Sequence, residues 1–229
     1  MSRMLPLSDG IPARRFPIVN VALIAANFAV WIFYELPHLN SSIYHASFYP
    51  CTVNSSCNGP EPWWISWFTA MFMHGSWSHI LGNMLFLAIF GKNVEDAYGH
   101  LKYLAFYFAG GLAATMLQAA MTLWFGTHAA ARVPNLGASG AIAAVLGAYF
   151  VLLPRARVLT LIFFFIFREI RAVWFLGIWI GLQIWQGGAG LTHPDQTGGV
   201  AVFAHIGGFA FGFLTVKLVA QRRPLQPAY

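Results

Sequence analysis

Residues 199–220, GVAVFAHIGGFAFGFLTVKLVA, form an apolar run that contains one histidine and one lysine. As a helix, this run is long enough to cross the ~30 Å hydrocarbon core of a bilayer. His205 stands near its start, although an ionisable side chain inside a span is costly and usually marks a functional interior. The run therefore predicts a membrane-spanning helix that carries a functional residue.

The composition of the whole chain agrees with lipid as its main surrounding. Of the 229 residues, 58% are hydrophobic and only 9% are charged, whereas soluble domains carry about 25% charged residues. This composition excludes a soluble cytosolic enzyme, a disordered protein and a coiled coil. The net charge of +6 comes from scattered basic residues, so it indicates orientation in a membrane and no nucleic-acid partner.

Five further apolar runs precede the last one and together predict six transmembrane helices. In chain order the runs are 16–36, 77–90, 101–125, 138–153, 172–186 and 199–220. With the N-terminus inside, the inner segments hold 12 of the 13 Lys and Arg residues, and only Arg132 lies outside. This distribution satisfies the positive-inside rule and places both termini in the cytoplasm.

The predicted organisation is an all-α integral membrane protein with one membrane domain, residues 16–220. Cytoplasmic tails are expected at 1–15 and 221–229. The inner segment 158–167, VLTLIFFFIF, is apolar but too short to cross as a helix. We interpret it as an interfacial or inward-folded segment on the basic side.

The longest loop, residues 37–76, lies on the outer side of the predicted topology. It contains both cysteines, Cys51 and Cys57. An oxidising compartment would allow them to form a small-loop disulfide, and two free thiols are the alternative.

Polar side chains of three predicted helices share one depth. The second, fourth and sixth helices all enter from the outer face, so their first turns lie at a similar level. These turns carry His79, Ser139 and His205. His74 precedes the first of them, and Asn83 shares a helical face with His79.

Small residues at four-residue spacing line the fourth and sixth helices. They are Gly140, Ala144 and Ala148, and Ala204, Gly208 and Gly212. Such faces let helix backbones approach closely in lipid. This packing would bring Ser139 within hydrogen-bond reach of His205.

A hydroxyl beside an imidazole is the pairing used in nucleophilic catalysis, because the base takes the serine proton as oxygen attacks a carbonyl. The start of a helix adds backbone N–H groups for a developing oxyanion, and His74 and Asn83 add side-chain donors. None of the seven carboxylates lies in the middle of a span, so a Ser–His dyad is favoured over a triad.

Other interpretations of these residues stay open. A serine at a helix start is often an N-cap, and a membrane histidine often bonds a neighbouring helix. A metal site from His74, His79 and His205 lacks a supporting carboxylate or thiolate, so we expect no metal and no cofactor. A small-solute transporter is disfavoured, because the two halves show no inverted repeat.

Three segments resemble the rhomboid family of intramembrane serine proteases. They are HGSWSHILGNMLFLAIFGKNVED at 74–96, GASGAIAAVLGAY at 137–149 and AHIGGFAFG at 204–212. The combination of H-x4-H-x3-N, G-x-S-G and H-x2-G-x3-G is specific, and the resemblance covers all six predicted helices in order. It implies a six-helix rhomboid-like bundle that cleaves single-span membrane proteins near the outer end of the span, after a small residue.

The resemblance also implies a role for each matching polar residue. Ser139 would be the nucleophile and His205 the general base. His74 and Asn83, with the backbone N–H of Ser139, would form the oxyanion hole. His79 would support that hole from the same helix.

The matching glycines would shape and pack the site. Gly137 would position the loop of the nucleophile, and Gly140, Gly208 and Gly212 would support the packing of the last helix. Two features depart from the family pattern. Many members have a Trp-Arg pair in the outer loop, and the corresponding stretch here, WISWFT at 64–69, has no arginine. Some members have a tyrosine one turn after the serine, stacked on the base, and Ala143 stands there instead.

The expected function is therefore intramembrane endoproteolysis, and the alternative is a catalytically silent rhomboid-like adaptor that binds transmembrane clients. The expected partners are single-pass transmembrane substrates and membrane lipids. The expected location is a bacterial plasma (inner) membrane, with the active site opening to the extracytoplasmic side.

Overall fold

The computed structural model of the chain describes residues 4–162, 166–192 and 201–221. Its α-helices, in chain order, are α1 (Ile18–Val30), α2 (Leu39–Ala46), α3 (Trp63–Thr69), α4 (Trp77–Phe86), α5 (Lys92–Tyr98), α6 (His100–Phe125), α7 (Ser139–Leu152), α8 (Ala172–Thr192) and α9 (Val202–Val219). Its strands are β1 (Met4–Ser8), β2 (Arg157–Ile162) and β3 (Ile166–Arg171).

Within these described ranges, three helical segments are long and apolar enough to cross a membrane. They are Ile18–Ala46, His100–Phe125 and Val202–Val219. The first is irregular, because α1 continues into α2 through a π-helical turn, Trp31–Glu35, and a 3₁₀ turn. The chain is therefore a mostly helical membrane protein, while the count of six spans and the cytoplasmic termini stay predictions.

Helix α7 forms the centre of the helical bundle. Every residue from Gly140 to Tyr149 is buried. On one side α7 packs along α9, where Gly208 and Gly212 lie directly on the backbone of α7. A Cβ on either glycine would overlap a carbonyl oxygen, that of Gly140 or that of Ala144. The small residues thus let the two helices approach at backbone distance.

Two buried carboxylates organise the predicted inner end of the bundle. Asp9 accepts hydrogen bonds from Asn93 and from the Tyr149 hydroxyl, and it pairs with Lys92 at 2.9 Å. Glu95 accepts hydrogen bonds from the backbone N–H groups of the first turn of α1, at 2.8 and 3.0 Å. The helix dipole stabilises a negative charge at this end of a helix. These contacts fix α1 and α5 relative to α7.

A three-stranded antiparallel sheet, in the order β1-β2-β3, corrects part of the sequence-based expectation. Val158 and Thr160 of β2 are buried, whereas Leu5 of β1 and Phe167 of β3 are exposed. The all-α prediction missed this sheet, and the N-terminal tail 1–15 contains its first strand.

The sheet was missed because the sequence pattern of the segment 158–167, which contributes to two paired strands, does not indicate a strand. VLTLIFFFIF shows no alternation of polar and apolar residues, so its pattern favours neither a strand nor a helix. Its partner β1 also lies far earlier in the chain, near the N-terminus. Residues 163–165 of this segment, and residues 1–3 and 222–229 of the tails, lie outside the described residues.

The predicted outer loop, residues 37–76, is joined to the segment before α7. Phe48 and Asn135 exchange two backbone hydrogen bonds, at 3.0 and 2.7 Å. Cys51 and Cys57 form a disulfide nearby in this loop. The loop therefore supports the turn from which α7 begins.

Candidate active site

Ser139 is the first residue of α7. The turn before it depends on Gly137, whose φ of +121° lies in a region that L side chains rarely adopt. A Cβ there would also lie 2.9 Å from His79 Nε2. The backbone N–H of Gly137 donates to the Ala70 carbonyl at 2.8 Å. This turn holds Ser139 where the first backbone N–H groups of a helix have no helical partner.

His205 lies in the first turn of α9 and contacts Ser139. The distance between His205 Nε2 and Ser139 Oγ is 2.9 Å, which is a normal hydrogen-bond length. The contact is possible because Gly208, one turn along α9, packs on the backbone of Gly140, one residue into α7. The structure thus brings together the serine and the histidine that the sequence singles out.

The other ring nitrogen of His205 contacts a residue that the sequence reasoning missed. Gln183 of α8 has its Oε1 2.8 Å from His205 Nδ1. The Trp179 ring lies one turn earlier, 5.6 Å from the imidazole and tilted by 41°. The signal was present in the sequence, because Gln183 is an amide inside a predicted span.

The residues predicted for the oxyanion hole lie just before α4 and within it. The rings of His74 and His79 are 5.0 Å apart, and the His79 ring borders Gly137. His74 Nε2 and Asn83 Nδ2 are buried and have no hydrogen-bond partner within the described part of the chain. Buried polar atoms rarely stay unpaired, so Asn83 Nδ2 is suited to a ligand that brings an acceptor, and so is His74 Nε2 in the tautomer that protonates it.

His74 lies before α4, outside the candidate spans. Burial first and the nearby His79 second lower the pKa of its ring to about 3, so the ring is neutral at pH 7 and carries one N–H. Its Nδ1 lies 3.3 Å from the Phe72 carbonyl, a long contact. Donation from Nε2 therefore requires the other tautomer, which gives up this contact.

Glu35 is a second residue that the sequence reasoning missed. Its carboxylate is fully buried, and both oxygens accept from the backbone N–H of His74, at 2.8 and 3.0 Å. The π-helical turn Trp31–Glu35 places it there, whereas the apolar run 16–36 indicates only that Glu35 lies near the end of the first span. Glu35 thus fixes the backbone of His74.

A small cavity of about 40 Å³ borders Ser139 on the side of α6. Its wall includes Gly111, Thr115 and Gln118 of α6, and the Gln118 amide oxygen accepts from the Ala204 backbone N–H at 3.1 Å. The volume exceeds what one water needs. The cavity therefore has room for a water molecule or a small side chain beside the hydroxyl.

Comparison with known proteins identifies a family that matches most of the chain. A model described as the Rhomboid domain matches residues 61–222. This range includes all the residues of the candidate site except Glu35.

Three curated relatives match parts of the chain. Rhomboid-like protein 11, chloroplastic, of Arabidopsis thaliana is 37% identical over 25% of this chain and 20% of its own length. Rhomboid protein 1, mitochondrial, of Saccharomyces cerevisiae is 32% identical over 43% of this chain and 28% of its own length. RHOMBOID-like protein 12, mitochondrial, of Arabidopsis thaliana is 27% identical over 59% and 43%, respectively. The chain thus spans less than half the length of each of these relatives.

Proposed function

Because the chain belongs to the rhomboid family, we propose that it is an intramembrane serine endopeptidase that acts through a Ser139–His205 dyad. The observation that carries this proposal is the 2.9 Å contact between Ser139 Oγ and His205 Nε2. A catalytically silent adaptor has no need to hold a hydroxyl and an imidazole at that distance. The geometry therefore favours the protease over the adaptor.

In the first half of the reaction, Nε2 of His205 takes the hydroxyl proton as Oγ of Ser139 bonds to the scissile carbonyl carbon. The C–N bond then breaks, and the proton passes from Nε2 to the leaving amine. In the second half, water attacks the acyl-enzyme and gives a proton to Nε2. Ser139 leaves with that proton, which restores the dyad.

The tetrahedral intermediate needs hydrogen-bond donors for its oxyanion. The backbone N–H of Ser139 supplies one, at the positive end of α7. The unpaired Nδ2 of Asn83 and the ring of His74, in its Nε2–H tautomer, supply the others. His79 supports this group through its contacts with His74 and Gly137.

The proposed substrates are single-span membrane proteins cut near the outer end of the span. A substrate helix hides its amides in hydrogen bonds, so it must unwind before Ser139 attacks, and glycine in the span makes that easier. The cavity of about 40 Å³ beside Ser139 suits a small residue before the cut.

The proposed location is a membrane, with the site opening to the extracytoplasmic side. This side follows from the topology predicted by the basic residues. The relatives are named for mitochondria and chloroplasts, so they give no support to the expected bacterial plasma membrane.

Labelling by a fluorophosphonate probe tests the proposed nucleophile. In the full chain in detergent, we expect the probe to react with Ser139 and the adduct to be found there by peptide mass spectrometry. Ser139→Ala should prevent labelling, and His205→Ala should slow it strongly, because the serine then has no base. Ser41→Ala, at an exposed serine of α2, should label like the wild type. An unlabelled wild type that still binds single-span proteins would support the adaptor instead.

Glu35→Ala should slow substrate cleavage roughly 10-fold, which corresponds to about 1.4 kcal/mol, because the His74 backbone loses its hydrogen-bond acceptors. Glu35→Gln keeps an amide oxygen as acceptor and should retain most of the rate. Glu61→Ala, at an exposed glutamate of the predicted outer loop 37–76, is the matched control. The cleavage rate of a single-span reporter measures the effect. Equal rates for the Glu35→Ala and Glu61→Ala proteins would contradict this positioning role.

A further inference from the structure

We propose that Gln183 is a positioning residue of the dyad, whose amide oxygen holds the Nδ1–H of His205 so that Nε2 is free to accept the serine proton. This inference rests on the proposed function. It assigns a part in catalysis to α8, which lies outside the three segments that resemble the rhomboid family.

The hydrogen bonds on the two ring nitrogens determine the tautomer of His205. Gln183 Oε1 lies 2.8 Å from Nδ1, and Ser139 Oγ lies 2.9 Å from Nε2. A carbonyl oxygen only accepts, so Nδ1 must donate. The neutral ring then carries no proton on Nε2, which is the state that a general base requires. Gln183 therefore selects the productive tautomer and orientation.

A neutral amide suits this position better than a carboxylate does. An unpaired charge within a bilayer is expensive, and a buried carboxylate would need compensating donors. An amide fixes the ring without that cost. It stabilises the protonated ring less than a carboxylate would. His79 is a second titratable group that is close enough to interact electrostatically with His205.

Trp179 completes the support of the ring from α8. Trp179 and Gln183 are four residues apart, so they share one face of the helix, and both contact His205. The equivalent support from α7 is missing, since Ala143 is buried against Gly208. The support of the imidazole therefore comes from α8.

Two substitutions of Gln183 test this role in the full chain, with a single-span reporter and a fluorophosphonate probe. Gln183→Leu removes the acceptor and should lower kcat and the labelling rate roughly 10- to 100-fold, with KM changed less than about twofold. Gln183→Glu keeps the shape and adds a charge that favours the protonated ring. It should keep activity and move the acidic limb of the pH–rate profile to higher pH by about 1 unit.

Gln186→Leu is the matched control, because Gln186 is an exposed glutamine on the same helix. It should leave kcat and the pH profile unchanged. Thermal unfolding of each variant shows whether it is folded. If Gln183→Leu does not fold, the pH–rate profile of Gln183→Glu tests the positioning role. Wild-type kcat in Gln183→Leu, or an unshifted pH–rate profile in Gln183→Glu, overturns this inference but leaves the proposed function standing. If Ser139→Ala cleaves as fast as the wild type, the proposed function and this inference fall together.

Discussion

Ser139→Ala should reduce cleavage of a single-span reporter by roughly 10⁴- to 10⁶-fold, to the background of the assay. The substitution removes the only atom of the dyad that forms a covalent bond to the substrate, and no other hydroxyl contacts His205 among the described hydrogen bonds. The remaining donors still bind the carbonyl, but they cannot form an acyl-enzyme. Product appearance over hours, with purified protein in liposomes, measures the loss.

The companion variants make this result diagnostic. His205→Ala should lose nearly as much activity, because Ser139 then lacks a base, and the double variant should be no slower than Ser139→Ala. Simple multiplication of the two losses would mean that the two residues act independently. Both single variants should unfold at nearly the wild-type temperature. Residual cleavage in Ser139→Ala at a tenth of the wild-type rate would exclude Ser139 as the nucleophile.

The sequence predicts Ser139 and His205 because each is a polar residue near the start of an apolar run. Such positions stand out against a lipid-facing background. The shared depth follows from helix direction, and the close approach follows from small residues at four-residue spacing. These signals are local and strong, so the pairing of α7 with α9 can be predicted.

Gln183 and Glu35 depend on features that local patterns do not fix. The orientation of α8 about its axis decides whether Gln183 reaches His205, and α8 is apolar on most of its surface, so periodicity does not indicate its buried face. Glu35 is directed to His74 by the π-helical turn Trp31–Glu35. An extra residue in one turn rotates every later side chain. The β-sheet likewise depends on pairing between distant segments.

Gly212→Val should inactivate the protein although Gly212 lies two turns from His205. A Cβ at this position would overlap the carbonyl oxygen of Ala144 and lie 3.0 Å from its Cα. Backbone cannot move aside as a flexible side chain can, so α9 must shift away from α7. A displacement of about 1 Å at a catalytic contact can cost roughly 100-fold in rate, and we expect at least that loss in kcat.

The same substitution should also lower stability. Forcing extra atoms into a close-packed contact costs about 1–3 kcal/mol, which corresponds to a Tm lower by roughly 2–12 °C for a chain of this size. Gly212→Ala, with less bulk, should show smaller losses of both activity and Tm.

Gly181→Val provides the control that separates packing from a general effect of valine in a helix. Gly181 lies in α8, and a Cβ there would meet no atom within 4 Å. The same chemical change should therefore leave kcat within about twofold and Tm almost unchanged, since valine is no worse than glycine for helix formation. If Gly212→Val kept wild-type activity, the Ser139–His205 contact could not depend on the close approach of α7 and α9. Because both residues of the dyad reach each other only across that contact, activity and backbone packing should fail together in Gly212→Val.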